Sequence, residues 1–419
     1  MIAQGASESK DLAETAEVST PARSPADAWT PSPQGWAARV AVLVIIFGGT
    51  LWITGSVKGF WAARISLAVI FAIIGLSLNV VLGYLGQLSL GHQAFVGISA
   101  FVAAFYVTKS AKCTTDNCSL GSFLIAVVIA AAAGAVAAGI LGLVAPRIKG
   151  LYLALITLAY GFVAERSLFE IPALTNGGAG QPAPRPNGFV GDHAYAYLCF
   201  VFLAIVLFID WRLMRSKVGR AILSIKQSDA VAATYGINVT AYKVLAFMMS
   251  GLFAGIAGAL FAFHEFNVVS NNFNFSNTLL WVLMVVVGGL GRRTGVVIGS
   301  AFFALFPYLI IIYSGFDNFF KDTFHRDPNY ITLLIGPLLA VLTIIRFPGG
   351  IAEQISPITR WLSGKRFTKH PEGGGHPSGG QPKARLQGLF KRRSTNGSPV
   401  APETQTSPEL IGSTEGSES

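Results

Sequence analysis

Residues 83–95 read GYLGQLSLGHQAF and lie between two stretches that are apolar enough to cross a bilayer. This segment carries four polar side chains, Gln87, Ser89, His92 and Gln93, together with three glycines. Lipid cannot satisfy the backbone N–H and C=O groups that a break in a helix exposes, so such a segment is tolerated only against protein or a water-filled cavity. The pattern therefore predicts an interrupted helix buried among the other helices of a membrane protein.

The composition of the 419-residue chain also indicates a membrane protein. Hydrophobic residues make up 52% of the sequence, charged residues only 12%, and the mean hydropathy is +0.55. The formal net charge of +10 comes from basic residues in short loops and in the C-terminal tail, which is the positive-inside pattern of membrane proteins. We therefore predict an all-α, polytopic transmembrane helical bundle in contact with the lipid bilayer, and no nucleic-acid partner.

Ten apolar segments come near the roughly 17 to 25 residues that a tilted helix needs to cross the hydrocarbon. We predict about ten spans, with eight as the lower bound. The eighth segment is short enough to be a half-helix that stops at GGLG, residues 288–291. The predicted segments are 39–54, 61–82, 88–108, 119–145, 151–170, 194–211, 241–264, 277–290, 296–313 and 329–346.

The charged loops predict the orientation of these spans. Residues 212–226 carry basic side chains and no acidic one, which places this connection in the cytoplasm. Counting outward from it puts both termini in the cytoplasm of a multi-pass cell-membrane protein. Residues 1–35 and 351–419 lack an apolar period and are predicted to be disordered cytoplasmic tails, the second one basic. The transmembrane domain then covers residues 36–350, with a cytoplasmic loop at 212–240.

Two glycine-rich motifs in the two halves of the chain are similar: VLGYLG at residues 81–86 and VVGGLG at residues 286–291. Glycine-interrupted spans in corresponding positions indicate a central pathway through a membrane protein. Helix packing with hydrogen-bonded polar side chains is the alternative interpretation of each residue, and the sequence leaves it open. The candidate pathway residues are Asn79, Gln87, Ser89, His92, Gln93, Gly288 and Gly289.

Cys113 and Cys118 enclose a short polar loop, CTTDNC, on the predicted outer face. An oxidising space would allow a disulfide between them, and two unpaired surface thiols are the alternative. Neither the spacing nor the neighbouring residues indicate a zinc or redox site, so no metal ligand is predicted.

The longest predicted cytoplasmic connection contains the sequence DAVAATYGI. It has small residues between an acidic start at Asp229 and a glycine stop at Gly236, which is typical of a short helix. A short helix held on the inner face suits a groove on a partner protein. A basic surface loop resting on anionic lipid is the alternative.

Four segments of the chain are informative together: SLNVVLGYLGQLSLGHQAFVGISAF, RIKGLYLALITLAYG, SKVGRAILSIKQSDAVAATYGINVTAYKVLAFMMSGLFAGIAGALFA and LMVVVGGLGRRTGVVIGSAFFALFP. They resemble the permease subunits of branched-chain amino acid ABC importers, of the LivM type. The resemblance extends over about residues 61–350 and implies that residues 220–240 dock on a cytoplasmic ATPase. The coupling residues that it implies are Arg220, Asp229, Ala230, Ala233 and Gly236.

The same resemblance implies the rest of an import assembly. The expected partners are a second homologous permease subunit, two cytoplasmic ABC ATPase subunits and an extracytoplasmic substrate-binding protein. The expected solutes are leucine, isoleucine and valine, carried by alternating access. Related permeases carry urea, short amides or other small solutes, and these alternatives stay open.

The sequence contains no G-x-x-x-x-G-K-[ST] motif, because GGLGRRTG lacks the lysine followed by Ser or Thr. We therefore expect a transport subunit rather than an enzyme, with no cofactor of its own and with ATP and Mg²⁺ used by the partner ATPase. The rival function is an ion-coupled secondary transporter, which would need ionisable residues buried in the spans. The residues that come closest are His92, Glu165, His264 and Glu265.

Overall fold

The computed structural model describes residues 48–49, 52, 54–114, 117–148, 150–175 and 179–312. Within these ranges the chain is mostly helical, which confirms the predicted fold class. The α-helices are α1 (Gly59–Leu78), α2 (His92–Phe105), α3 (Leu120–Val144), α4 (Leu151–Val163), α5 (Pro172–Thr175), α6 (Asp192–Arg215), α7 (Lys217–Gln227), α8 (Asp229–Thr234), α9 (Val239–Glu265), α10 (Phe275–Gly288) and α11 (Arg293–Ile312).

Three π-helical segments continue α1, α2 and α4 without a break: Asn79–Leu85, Tyr106–Ser110 and Ala164–Leu168. The remaining regular structure is a short antiparallel pair of strands, β1 (Gln181–Pro182) and β2 (Asn267–Val268), followed by a 3₁₀ turn. Gln181 pairs with Val268, so the strand pair joins the segment before α6 to the segment after α9.

In the described part of the chain, five helices are long and apolar enough to cross a membrane. Two further apolar stretches are shorter: α10 (Phe275–Gly288) and the Arg293–Leu305 part of α11. Predicted span 329–346, most of 39–54, and both predicted tails lie outside the described residues, so the ten-span count stays a prediction. The five long helices are Gly59–Leu85, Leu120–Val144, Leu151–Leu168, Asp192–Arg215 and Val239–Glu265.

Two predicted segments differ from the structure. The span predicted at 88–108 is helical only from His92 onward, because the preceding residues form the interruption described below. The connection predicted at 212–240 as a loop with one short helix is more helical than expected, since α6 runs to Arg215 and α7 follows it, while α8 is the predicted short helix. Helix α7 forms because Ile222 and Ile225, three residues apart, bury one face of it.

Helix α9 lies at the centre of the bundle and is buried along most of its length. Small residues let its backbone approach α3 closely: Gly251 lies against Gly134, and Gly255 lies against Ala130. Close approach at small residues is the usual way in which membrane helices gain packing energy, because lipid provides no hydrophobic driving force between them.

The outward faces of α3 and α6 are apolar, as contact with lipid requires. On α3 the side chains of Val128, Val136 and Ile140 are 59–68% exposed. On α6 the exposed side chains include Val201 and Phe208. These exposed apolar surfaces are consistent with a bilayer around the bundle.

A polar contact ties α1 to α9 inside the apolar core. The Ser77 hydroxyl donates to the backbone carbonyl of Ser250 at 2.6 Å, and the Ser250 hydroxyl donates to the carbonyl of Ser77 at 2.8 Å. His92 Nε2, at the start of α2, lies 2.8 Å from the same Ser77 hydroxyl. The three helices are thereby joined at one buried point.

Arg185 fixes the end of α9 that lies opposite α7 and α8. Its Nε donates to the carbonyl of Phe263 at 3.1 Å, and its Nη1 lies 2.9 Å from a carboxylate oxygen of Asp192. The guanidinium also stacks on the rings of Tyr195 and Phe266, with its carbon 4.2 and 4.3 Å from the ring centres. One buried cation therefore satisfies a terminal helix carbonyl and holds the segment before α6.

Replacing Gly255 by valine tests the close packing of α9 on α3. A Cβ at Gly255 would lie 2.6 Å from the carbonyl oxygen of Ala130 and from the Cα of Ala131, so the helices must separate. We expect Gly255→Val to lower the free energy of unfolding by about 1–3 kcal/mol, the usual cost of overpacking. The measurement is the thermal unfolding midpoint of the detergent-solubilised chain.

Gly121→Val is the matched control, because a Cβ at Gly121 of α3 has its nearest neighbour, Ser119 Oγ, at 3.8 Å. Equal shifts of the unfolding midpoint for the two variants would contradict the packing explanation.

Candidate functional site

The interruption predicted at residues 83–95 is present between α1 and α2. The π-helical segment ends at Leu85, Gly86 adopts a left-handed conformation with φ of 74°, and α2 begins at His92. The N–H groups of Gly86 and Gln87 both donate to the carbonyl of Val81. The left-handed glycine redirects the chain, because residues with a Cβ rarely adopt this conformation.

The two similar glycine motifs meet in space. Asn79 Oδ1 accepts a hydrogen bond from the backbone N–H of Gly291 at 2.8 Å, across 212 residues of sequence. A Cβ on Gly83 would lie 2.6 Å from the same Gly291 nitrogen, and Gly291 itself has a left-handed φ of 77°, so both motifs need glycine where they touch. The similarity seen in the sequence therefore corresponds to a direct contact between the two interrupted regions.

Side chains of α4 and α10 bond the backbone groups that the interruption frees. The N–H of Leu90 donates to Thr157 Oγ1 of α4 at 2.9 Å. The N–H of Gln93 donates to Thr278 Oγ1 of α10 at 3.1 Å, and the Thr278 hydroxyl donates to Gln93 Oε1. The interruption is thus held on two sides by threonines that the sequence did not single out.

Five of the seven predicted pathway residues each keep one buried polar atom without a hydrogen-bond partner among the described residues. A buried polar group without a partner costs about 1–3 kcal/mol, so these atoms retain capacity to bind water or a polar solute. The atoms are Asn79 Nδ2, Gln87 Oε1, Ser89 Oγ, His92 Nδ1 and Gln93 Nε2.

The other two predicted pathway residues have positions that packing and chain direction explain. Gly288 is buried at the end of α10, where a Cβ would meet the carbonyl of Gly295 of α11. Gly289 ends α10 with φ of 110°. The structure therefore gives both glycines a role in the turn before α11.

The predicted coupling segment forms two helices, α7 and α8, joined at Ser228. The Ser228 hydroxyl accepts from the N–H of Val231 and so begins α8, and Gly236 follows its end with φ of 76°. Asp229 Oδ2 lies 2.8 Å from the Nζ of Lys243, whose side chain is 3% exposed. This ion pair fastens the start of α8 to α9.

Helix α8 presents an open surface. The predicted coupling residues Arg220, Ala230, Ala233 and Gly236 are exposed, and Asp229 is partly buried. Two apolar side chains of the same surface, Val231 and Tyr235, are 52% and 79% exposed, while Ala232 is buried against the bundle.

Two lysines hold the coupling segment in place: Lys226 connects it with the interruption, and Lys243 connects it with α9. Lys226 of α7 donates from its Nζ to the carbonyl of Gly83 at 2.7 Å, and Lys243 pairs with Asp229 as described. Both lysines line a recess of about 320 Å³ that also contains Gln87. In the sequence, Lys243 could have indicated a polar contact at this position, because it is the single lysine or arginine of an otherwise apolar helix.

On the opposite side of the chain from α8, Cys113 and Cys118 are joined by a disulfide with their Cα atoms 4.7 Å apart. The bond closes the loop between the end of the second π-helical segment and α3. The oxidation state in the cell stays a prediction.

Replacing Lys226 by methionine tests the contact with the interruption. Methionine keeps the apolar length of the side chain but loses the donor to Gly83, so local opening becomes easier. We expect amide hydrogen exchange in peptides covering residues 83–95 to accelerate about tenfold, as loss of a charge-assisted hydrogen bond implies. Lys217→Met, an exposed lysine at the start of α7, is the matched control. Equal exchange in both variants would contradict the contact.

Comparison with known proteins agrees with this architecture. A sequence profile described as branched-chain amino acid transport system / permease component matches residues 62–343. The chain is 27% identical over 329 residues to the high-affinity branched-chain amino acid transport system permease protein LivM of Salmonella typhimurium, with 72% of each protein covered.

The LivM protein of Escherichia coli is 27% identical over 328 residues, with 71% of each protein covered. The probable LivM permease of Methanocaldococcus jannaschii is 23% identical over 325 residues, which cover 69% of this chain and 92% of the relative. No solved structure gives a significant match. The chain therefore belongs to the family of permease components of branched-chain amino acid transport systems.

Proposed function

We propose that the chain is the permease subunit of an ATP-driven importer that moves leucine, isoleucine and valine across the cell membrane. The observation that carries this proposal is the family membership over residues 62–343, together with an apolar helical bundle. The LivM relatives are named as branched-chain amino acid permeases, and this supports the same substrate class here. Both termini lie in the cytoplasm in this arrangement.

The open surface of α8 is the docking site for a cytoplasmic ATPase in this proposal. Two observations support it. The apolar side chains of Val231 and Tyr235 are exposed, and the ion pair between Lys243 and Asp229 attaches the start of α8 to α9. A surface that must press into a groove needs apolar area outside and a rigid attachment inside. The coupling residues are Arg220, Asp229, Ala230, Ala233 and Gly236.

The full importer contains a second homologous permease, two ATPase subunits and an extracytoplasmic binding protein. The ATPases use ATP and Mg²⁺, and this chain acts as a transport subunit, not as an enzyme.

The interruption between α1 and α2 contributes polar groups to the pathway. The unpartnered buried atoms of Asn79, Gln87, Ser89, His92 and Gln93 support this role, because a hydrated solute can replace the missing hydrogen bonds.

Reconstitution tests the proposal directly. The chain is incorporated into liposomes with its partner permease and ATPases, the loaded binding protein is added, and uptake of radiolabelled leucine is measured with and without ATP. We expect uptake that requires both ATP and the binding protein and that is competed by isoleucine and valine but not by urea or ribose. Uptake by the chain alone on an ion gradient would instead support a secondary transporter and refute the proposal.

Substitution of Gly236 tests the role of α8. Because φ is 76° and no atom of the described residues lies within 4 Å of the place that a Cβ would occupy, a side chain there is strained by its backbone conformation. Gly236→Val should reduce uptake about tenfold, since the left-handed conformation costs a β-branched residue roughly 1–2 kcal/mol or more. Gly236→Asn should keep most of the uptake, because asparagine tolerates this conformation.

Uptake is compared at equal amounts of membrane-inserted protein, determined by immunoblot. Normal uptake by Gly236→Val would exclude α8 as the docking element.

A further inference from the structure

Asp210 forms a buried ion pair, both of whose members lie outside the coupling segment. It lies near the end of α6 and its side chain is fully buried. Its Oδ2 accepts from the hydroxyl of Tyr84 at 3.1 Å and lies 3.1 Å from the Nε of Arg293. Tyr84 belongs to the π-helical segment that continues α1, and Arg293 begins α11. We name these three residues the Asp210 clamp.

Stability alone does not explain the Asp210 clamp. Taking a carboxylate and a guanidinium out of water costs more than their attraction returns unless every atom is well bonded, and apolar residues of similar size often stabilise more. Here both contacts fall on Oδ2, and Oδ1 of Asp210 has no partner among the described residues. Arg293 is 27% exposed, so it can exchange its partner for water, whereas Asp210 cannot.

The position of the Asp210 clamp relates it to the coupling side of the bundle. Arg212 and Arg215 follow Asp210 at the end of α6, and α7 begins two residues later. Tyr84 is next to Gly83, whose carbonyl accepts from Lys226 of α7. The clamp therefore joins the ends of three membrane helices beside the coupling segment.

We propose that Asp210 is a positioning residue that keeps the cytoplasmic ends of α1, α6 and α11 together in the closed arrangement. The ion pair with Arg293 must separate before this side of the permease opens. This inference rests on the proposed function for its meaning in transport. Its structural part, the closure of the contact between α1 and α11, can be measured without any solute.

Ser300 provides a reporter for that contact. It lies seven residues after Arg293 on α11, which places it about 10 Å deeper along the helix axis. It is buried, packs against Gly75 of α1, and its hydroxyl has no partner among the described residues. Ser300→Cys is therefore a conservative change that places a thiol behind the clamp.

The experiment measures how fast a membrane-impermeant maleimide labels this thiol from the cytoplasmic side of inverted membrane vesicles. The full chain carries Ser300→Cys with Cys113→Ser, Cys118→Ser and Cys199→Ala, so that one thiol remains. We expect slow labelling in this background and labelling about tenfold faster after Asp210→Asn or Arg293→Gln, because removal of a partner leaves the other charge uncompensated. Arg293→Lys, which retains the cation, should label nearly as slowly as the background.

Native Cys199 separates a local opening from general loosening. It is buried on α6, the same helix as Asp210, and in a chain with Cys113→Ser and Cys118→Ser it is the only thiol. Its labelling rate should be unchanged by Asp210→Asn or Arg293→Gln. Unchanged labelling at Ser300→Cys, or an equal increase at Cys199, would overturn the proposal. The labelling requires no solute. A failure of leucine uptake would therefore refute the proposed function without changing the outcome of the labelling test.

Discussion

A helix cannot stop inside a bilayer unless the N–H and C=O groups that it frees find partners in the protein. This constraint explains the arrangement around residues 79–92. A side chain of α7 bonds the carbonyl of Gly83, and a threonine of α4 bonds the N–H of Leu90. Asn79 in turn bonds the turn before α11. The interruption, the coupling segment and the second glycine motif are consequently one hydrogen-bonded unit, although they are far apart in the sequence.

The core of the bundle around α9 is held mainly by close backbone packing. Around α9 the backbones touch through glycine and alanine, and a displacement of one helix there would create clashes or voids. At the coupling side, contacts are made by single lysine, asparagine and aspartate side chains, which can change partners with little cost in packing. Motion is therefore expected at the ends of the helices, while their centres keep their packing.

The sequence was sufficient to predict the apolar helices, because long apolar runs have few structural alternatives. Predicted segment 119–145, for example, is the helix Leu120–Val144. The interruption could also be predicted, because its polar residues and glycines lie between two long apolar runs, where lipid could not satisfy them. In the connection after Arg215, the short helix that begins at Asp229 was predicted, whereas α7 was missed because basic residues dominated the pattern there. Asp210 could not be assigned, because an isolated charge near the end of an apolar run is normally an interfacial anchor, and Tyr84 lies 126 residues away. Lys226 could not be distinguished from the other basic residues of 212–226, and its partner Gly83 lies 143 residues away.

The π-helical segment Asn79–Leu85 holds about one residue more per turn than the α-helix that precedes it. Each residue of an α-helix turns the chain by about 100°, so deletion of one residue from α1 would rotate Tyr84 away from Asp210 and Gly83 away from Gly291. Deletion of one residue between Val80 and Leu82 would instead convert the π-turn to an ordinary α-turn, and the side chains beyond it would keep their direction. Single-codon deletions should therefore be tolerated better in this part of the gene than in the part that encodes α1.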